Sequence, residues 1–201
     1  MLLQEGQKMI FIGDSITDCG RKDDPEHIGG GYVRIVRDYL SIVRPEISLQ
    51  VVNQGISGET ILDLKARWKE DVIELKPDWL TISIGINDEW KNVSCDDFRD
   101  TYRELLNETK SKTGSSLIVM ETTILSEDSN DGKNERLLPY NQIIREVAAE
   151  FEAILVPQYQ SFTAYLREQR GKTLTVDQVH MNSTGNLFMA VNWLKACGFA
   201  Y

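Results

Sequence analysis

A chain of 201 residues with 41% hydrophobic content is long enough for one domain with a full core and too apolar for a disordered segment. Its net charge of -9, with no Lys/Arg cluster, argues against nucleic acid or an acidic membrane surface as a partner. Three distant cysteines, Cys19, Cys95 and Cys197, exclude a disulfide framework and a paired-cysteine zinc site.

Met1 to Lys8 have no basic flank and no long apolar run, which predicts no signal peptide of the usual form. No apolar window approaches the ~18 residues of a membrane span. With the scattered cysteines, these features point to the cytoplasm. Met9-Ile10-Phe11-Ile12 reads as a buried strand that stops at Gly13, where the absence of a Cβ permits a sharp turn. Ser15 follows, past the strand's carboxyl end, where open parallel sheets gather their ligands. Cys19 reads as a small buried residue. Tyr32, Ile35, Val36, Tyr39, Leu40 and Val43 recur at helical spacing, and the helix ends before Pro45.

Leu49 to Asn53 predicts a short strand, Gln54 to Thr60 a Gly-rich loop, Ile61 to Leu75 a helix, and Lys76-Pro77-Asp78 a turn. Arg67 and Trp68 read as a packed helix face, with Asp71 within reach of Arg67. Trp79 to Ile84 is the third strand, followed by Gly85-Ile86-Asn87-Asp88. Ser94 to Asp97 cap a helix whose apolar face carries Phe98, Tyr102, Leu105 and Leu106. Leu117 to Met120 is a fourth strand, and Thr122 to Leu138 a long, polar loop of unassigned role. Tyr140, Ile143, Ile144, Val147, Ala148 and Phe151 stripe the next helix. Ala153 to Val156 is a fifth strand stopped by Pro157. A helix is expected from Phe162 to Gln169, then a loop carrying Asp177 and His180, then a last helix from about Ser183. Strands alternate with helices throughout, so the reading is a single α/β domain over residues 1–201: a parallel sheet with helices on both faces.

The chain has two histidines, His27 and His180. A serine nucleophile needs an imidazole held by a carboxylate. Asp177-Gln178-Val179-His180 supplies both, three residues apart. His27 has Glu26 as its direct neighbour, and adjacent loop side chains seldom orient one another. Ser15, His180 and Asp177 are therefore the candidate nucleophile, base and orienting acid for acyl transfer. The Ser15 N–H, the Gly55 N–H and the Asn87 amide are candidate donors to the oxyanion. Asp14, in the substrate-binding surroundings, is read as an acceptor that pins the loop rather than as a catalytic acid. Asp88 is read as structural. Trp90 is placed at the rim, where an indole either binds a sugar ring or acyl chain or packs under a loop. Two distant histidines and no clustered cysteines give no metal site.

Gly13-Asp14-Ser15, Asn53-Gln54-Gly55-Ile56-Ser57-Gly58, Gly85-Ile86-Asn87-Asp88 and Asp177-Gln178-Val179-His180 together resemble the four-block signature of the SGNH hydrolases, the GDSL esterase/lipase superfamily. The blocks stand in family order over nearly the whole chain. The resemblance implies a three-layer, flavodoxin-like fold with five parallel strands, cofactor-free hydrolysis, and the roles just given. Gly13 to Arg21, Gly55 to Gly58, Leu64 to Trp68 and Ile84 to Trp90 further resemble intracellular bacterial carbohydrate esterases that deacetylate xylo-oligosaccharides. Met181 departs from the proline that many members carry after the histidine, which implies a looser loop. Gly-x-Ser-x-Gly is absent, so this is not the usual α/β-hydrolase elbow. The expected substrate is a short-chain, acetyl ester of a carbohydrate. Alternatives are a lysophospholipase or thioesterase, and a non-catalytic carbohydrate-binding protein. Exposed helix faces leave a homo-oligomer open.

Overall fold

The computed structural model describes residues 3–168 and 171–199. Five strands form one sheet: β1 (Lys8–Gly13), β2 (Gln50–Gly55), β3 (Trp79–Ser83), β4 (Ser116–Met120) and β5 (Ile154–Val156). Their spatial order is β2-β1-β3-β4-β5, and every pairing is parallel. The expected three-layer α/β/α architecture is therefore present.

The strands are apolar on both faces because both faces are covered. Met9 and Phe11 look to one side, towards α2 (Tyr32–Val43) and α8 (Ser183–Ala196). The Phe11 ring packs edge-on to Tyr32 at 5.9 Å and against Trp193 at 5.6 Å. Trp193 is fully buried and donates its indole N–H to Thr81 Oγ1 at 3.2 Å, so its one polar atom is satisfied. Ile10 and Ile12 look the other way, into a core shared with α3 (Ile61–Trp68), α5 (Cys95–Thr113) and α6 (Leu138–Glu150).

Several boundaries differ from expectation. β2 runs on to Gly55, paired with Gly13, instead of ending at Asn53. The helix expected over 61–75 is α-helical only to Trp68 and continues as a π turn over Lys69–Ile73. Periodicity could not separate the two windings, since Leu64, Trp68 and Val72 are buried in either. α7 (Gln158–Arg167) begins four residues before the predicted start. Pro157 does stop β5, but it also opens the helix, as a residue without an N–H suits that place. The predicted end at Gln169 lies outside the described residues.

The segment 122–138 is not a plain polar loop. Thr122 to Ser126 are buried and Lys133–Leu137 form a 3-10 turn. Asn141 Oδ1 accepts from Thr122 N at 2.9 Å, which anchors the segment to α6. Among the described residues no helix is long and apolar enough to cross a membrane.

Candidate active site

The parallel strands all point their carboxyl ends to one edge, and the site forms there. β1 ends at Gly13, where a Cβ would fall 2.2 Å from Ser83 O. Only glycine fits so close to the neighbouring strand. Asp14 then caps the short helix α1 (Ser15–Asp18), its Oδ1 accepting from Ile16 N at 3.0 Å. Burial pushes the Asp14 carboxyl up to about 6. Asp14 thus pins the turn that presents Ser15 and also lines the hollow over it.

Beneath α1, Asn53 Nδ2 donates to Thr17 O at 2.7 Å and to Ile28 O at 2.8 Å, while its Oδ1 accepts from Gly55 N at 2.8 Å. The Gly55 N–H, expected to face an oxyanion, is therefore engaged inside the scaffold, and Gly55 does not line the hollow. Its role is spatial: a Cβ on Gly55 would stand 2.2 Å from Asp18 N. The glycine that does line the hollow is Gly58, at φ +83. Asp18 Oδ2 accepts from Ser57 Oγ at 2.7 Å and so draws this loop towards α1. Arg67 secures the loop from outside, bonding Gln54 O at 2.9 Å, Glu59 at 2.7 Å and Asp71 at 2.5 Å. Among the described residues, neither Ser15 N nor Gly58 N donates to another group of the chain.

Asn87 and Trp90 sit on α4 (Ile86–Trp90), which begins after Gly85 at φ +134. The Asn87 amide donates to Glu59 O at 2.9 Å, leaving its second hydrogen uncommitted. Asp88 is buried; its Oδ1 accepts from Ile61 N at 2.9 Å, and its Oδ2 has no partner. Burial pushes this carboxyl up to about 7. Asp88 is structural, as expected: it and Asn87 fasten α4 to the start of α3.

The last component is a hairpin between α7 and α8. An antiparallel bridge pairs Thr175 with Met181, and Val176 N donates to His180 O at 2.8 Å. Met181 is buried within this arrangement, so the departure from proline leaves the loop held. Asp177 Oδ1 accepts from His180 N at 2.8 Å and Val179 N at 3.1 Å. Asp177 Oδ2 lies 2.7 Å from His180 Nδ1, and His180 Nε2 lies 3.0 Å from Ser15 Oγ. The bonds from the His180 ring and backbone hold the Asp177 carboxyl down at about 2. An ionised carboxylate at Nδ1 fixes the proton there, leaving Nε2 to accept from the serine hydroxyl.

Ser15, His180 and Asp177 are thus one hydrogen-bonded relay, in which Ser15 and His180 are 165 positions apart in sequence. Ser15 and His180 open on a hollow of about 290 Å³ whose walls include Ile16, Ile86, Val179 and Trp90. Trp90 is 48% exposed and stands at the rim. His27 sits apart in the loop before α2, at φ +53, with no hydrogen bond to Ser15. Sequence reasoning missed Gly58 as the lining glycine and Asn53 as the engager of Gly55. Both lay within the quoted Gly-rich block, but which N–H points outward is set by tertiary contacts.

The chain matches the GDSL-like Lipase/Acylhydrolase family over residues 11–187. It is 37% identical, over 217 residues, to an acetylxylan esterase of Geobacillus stearothermophilus, with 100% of this chain and 98% of that protein covered. The crystal structure of that esterase, Axe2, superposes with a TM-score of 0.90 at 36% identity, covering 99% of this chain and 97% of the other. Structures of its catalytic mutants, with a serine, an aspartate or a histidine replaced by alanine, are equally similar. LAE5, an alpha/beta hydrolase enzyme from the metagenome of Lake Arreo, Spain, gives a TM-score of 0.91 at 32% identity, covering 99% of this chain and 98% of that one. A serine–histidine–aspartate relay on this sheet, and a family match spanning all four of its sequence blocks, make this chain a carboxylic ester hydrolase of the GDSL-like lipase/acylhydrolase family.

Proposed function

We propose that this protein is a serine esterase that removes acetyl groups from carbohydrate esters through an acyl-Ser15 intermediate. Ser15 Oγ attacks the ester carbonyl as His180 Nε2 takes its proton. Asp177 holds the imidazole and stabilises its cation. The oxyanion is met by the Ser15 N–H, the Gly58 N–H and the uncommitted hydrogen of Asn87. Gly58 replaces Gly55 in this role, because Gly55 N already bonds Asn53. Collapse of the tetrahedral species breaks the bond to the sugar oxygen, which leaves with the proton from His180. Water then attacks the acyl-serine with His180 again as base, and acetate departs.

The observation that carries the reading is the pair of contacts at His180, 3.0 Å to Ser15 and 2.7 Å to Asp177. The small hollow with Ile16, Ile86 and Val179 in its walls favours a short acyl group, and a half-exposed indole at its rim fits a sugar ring. The named activity of the Geobacillus relative supports the same substrate class. The free thiols of Cys19, Cys95 and Cys197 fit the cytoplasm as the compartment.

Ser15→Ala is expected to abolish hydrolysis of 4-nitrophenyl acetate and labelling by a fluorophosphonate while thermal unfolding stays cooperative. Activity retained in that variant overturns the mechanism. Acetylated xylo-oligosaccharides assayed beside a C2 to C12 series of nitrophenyl esters test the substrate. Faster turnover of the long acyl chains points instead to a lysophospholipase or thioesterase.

A further inference from the structure

Glu127 lies in the segment between β4 and α6 to which the sequence gives no role. The backbone before it is fixed by Asn134, whose Oδ1 accepts from Leu125 N at 2.7 Å and Ser126 N at 3.1 Å. From this base the Glu127 carboxylate reaches the hairpin that carries Asp177 and His180. Its Oε1 accepts from Leu174 N at 2.8 Å, Thr175 N at 2.6 Å and Thr175 Oγ1 at 2.5 Å. In return Gln178 Oε1 accepts from Glu127 N at 2.9 Å. One residue therefore holds the hairpin at both its base and its tip. Gln178 stands at φ +81, a left-handed conformation unfavourable for a residue with a Cβ, directly between Asp177 and Val179. Its tie to Glu127 N helps to hold it there.

We propose that Glu127 is a positioning residue for the base: by gathering three donors of Leu174 and Thr175 it sets the hairpin so that the His180 ring stands within hydrogen-bonding distance of Ser15. This rests on the reading of Ser15, Asp177 and His180 as the catalytic group. Leu174 and Thr175 are buried, so water does not readily replace the carboxylate once it is removed. An ionised acceptor is the strongest available partner for three converging donors. Val176, Asp177 and Gln178 are exposed. Besides the hairpin's own bonds, its base is tied to Asn182 at the start of α8, whose N donates to Leu174 O at 2.9 Å and whose Nδ2 donates to Thr173 O at 2.9 Å. Glu127 adds the tie from the segment between β4 and α6. Rates in such sites fall ~10²-fold for a displacement of about 1 Å.

The test compares Glu127→Ala, Glu127→Gln and His180→Ala in kcat and KM for 4-nitrophenyl acetate, and in the downfield proton resonance of the His180–Asp177 bond. Glu127→Ala is expected to lower kcat by ~10 to 10²-fold with KM nearly unchanged, and to broaden or remove the resonance. Glu127→Gln, whose amide oxygen still accepts, recovers most of the rate and the resonance. Wild-type kcat in Glu127→Ala, or a loss of rate with an unaltered resonance, overturns the proposal. If His180→Ala stays active, the triad reading itself fails. If His180→Ala is dead and Glu127→Ala is not impaired, only the positioning role fails. Should Glu127→Ala not fold, Gln178→Ala removes the tie at the tip alone. It is expected to lower kcat by up to ~10-fold with the same spectral change, and an unchanged spectrum and rate overturn the proposal.

Discussion

Asn87 has one amide hydrogen bound to Glu59 O and one free. The bound hydrogen orients the group before substrate arrives, so the free one costs no reorganisation when charge develops. Asn87→Ala is expected to lower kcat by ~10² to 10³-fold with a small change in KM, the usual effect of losing one oxyanion donor. Steady-state kinetics on 4-nitrophenyl acetate check this; an equal kcat removes Asn87 from the hole. At this scale the sequence was legible where residue types are scarce or local. Two histidines left a short list of bases. Both stand three residues after an aspartate, Asp24 and Asp177, and the 3.0 Å contact of His180 Nε2 with Ser15 Oγ decides for His180. Gly55 and Gly58, three residues apart in one glycine-rich block, were not separable. Asn53 decides between them through its Oδ1, which accepts from Gly55 N in an Asx-type contact two residues on and is held in place by Asn53's own bonds to Thr17 O and Ile28 O. Glu127 was invisible for a different reason, since its partners lie 47 and 48 residues away.

Strands β1 and β2 meet α1 at two glycines. A Cβ on Gly55 would meet the backbone of Thr17 and Asp18 at 2.2–2.7 Å, and backbone cannot swing aside. Gly55→Ala is therefore expected to lose ~1–3 kcal/mol by overpacking. It should also lose ~10²-fold in kcat as Ser15 is displaced. Gly30→Ala is the control: nothing lies within 4 Å of its Cβ, and both stability and rate should stay near the wild type. Denaturant unfolding and kinetics on the pair decide it, and equal behaviour of the two variants removes the steric account. Elements were readable from sequence because buried strands are unbroken apolar runs and the helices carry clear stripes. Their edges were less so. The π turn after Trp68 keeps the same buried residues as an α-helix, and Pro157 serves as strand stop and helix start together.

Across the whole molecule, stability and pH are linked through carboxyls whose folded and unfolded affinities for protons differ. Asp14 and Asp88 are raised from 3.8 to about 6 and about 7 by burial. Each keeps its proton in the folded state where the unfolded chain has lost it. Their contribution is thus fully present below about pH 4 and is lost as pH rises to about 7. Asp177, lowered to about 2, acts in the opposite sense, adding stability above pH 4 that disappears as pH falls towards 2. Its half-exposed side chain keeps that effect small. Asp88→Asn keeps an acceptor for Ile61 N and cannot ionise. It is expected to exceed the wild type by roughly 2–4 kcal/mol at pH 8 relative to the difference at pH 4. Denaturant curves at the two pH values check this, and a pH-independent difference rules out Asp88 ionisation as the cause. None of this linkage was legible beforehand, because burial of a particular carboxyl is a property of the assembled layers.

The sheet order places the first strand inside the sheet, between β2 and β3, with the last helix α8 packed over it beside α2. In chain order the nucleophile comes first, and the imidazole that arms it follows 165 positions later. Without the hairpin in place, Ser15 has no base beside it and its hydroxyl is inert. Esterase turnover therefore requires the two distant segments to have docked, so it serves as a functional reporter of that long-range contact.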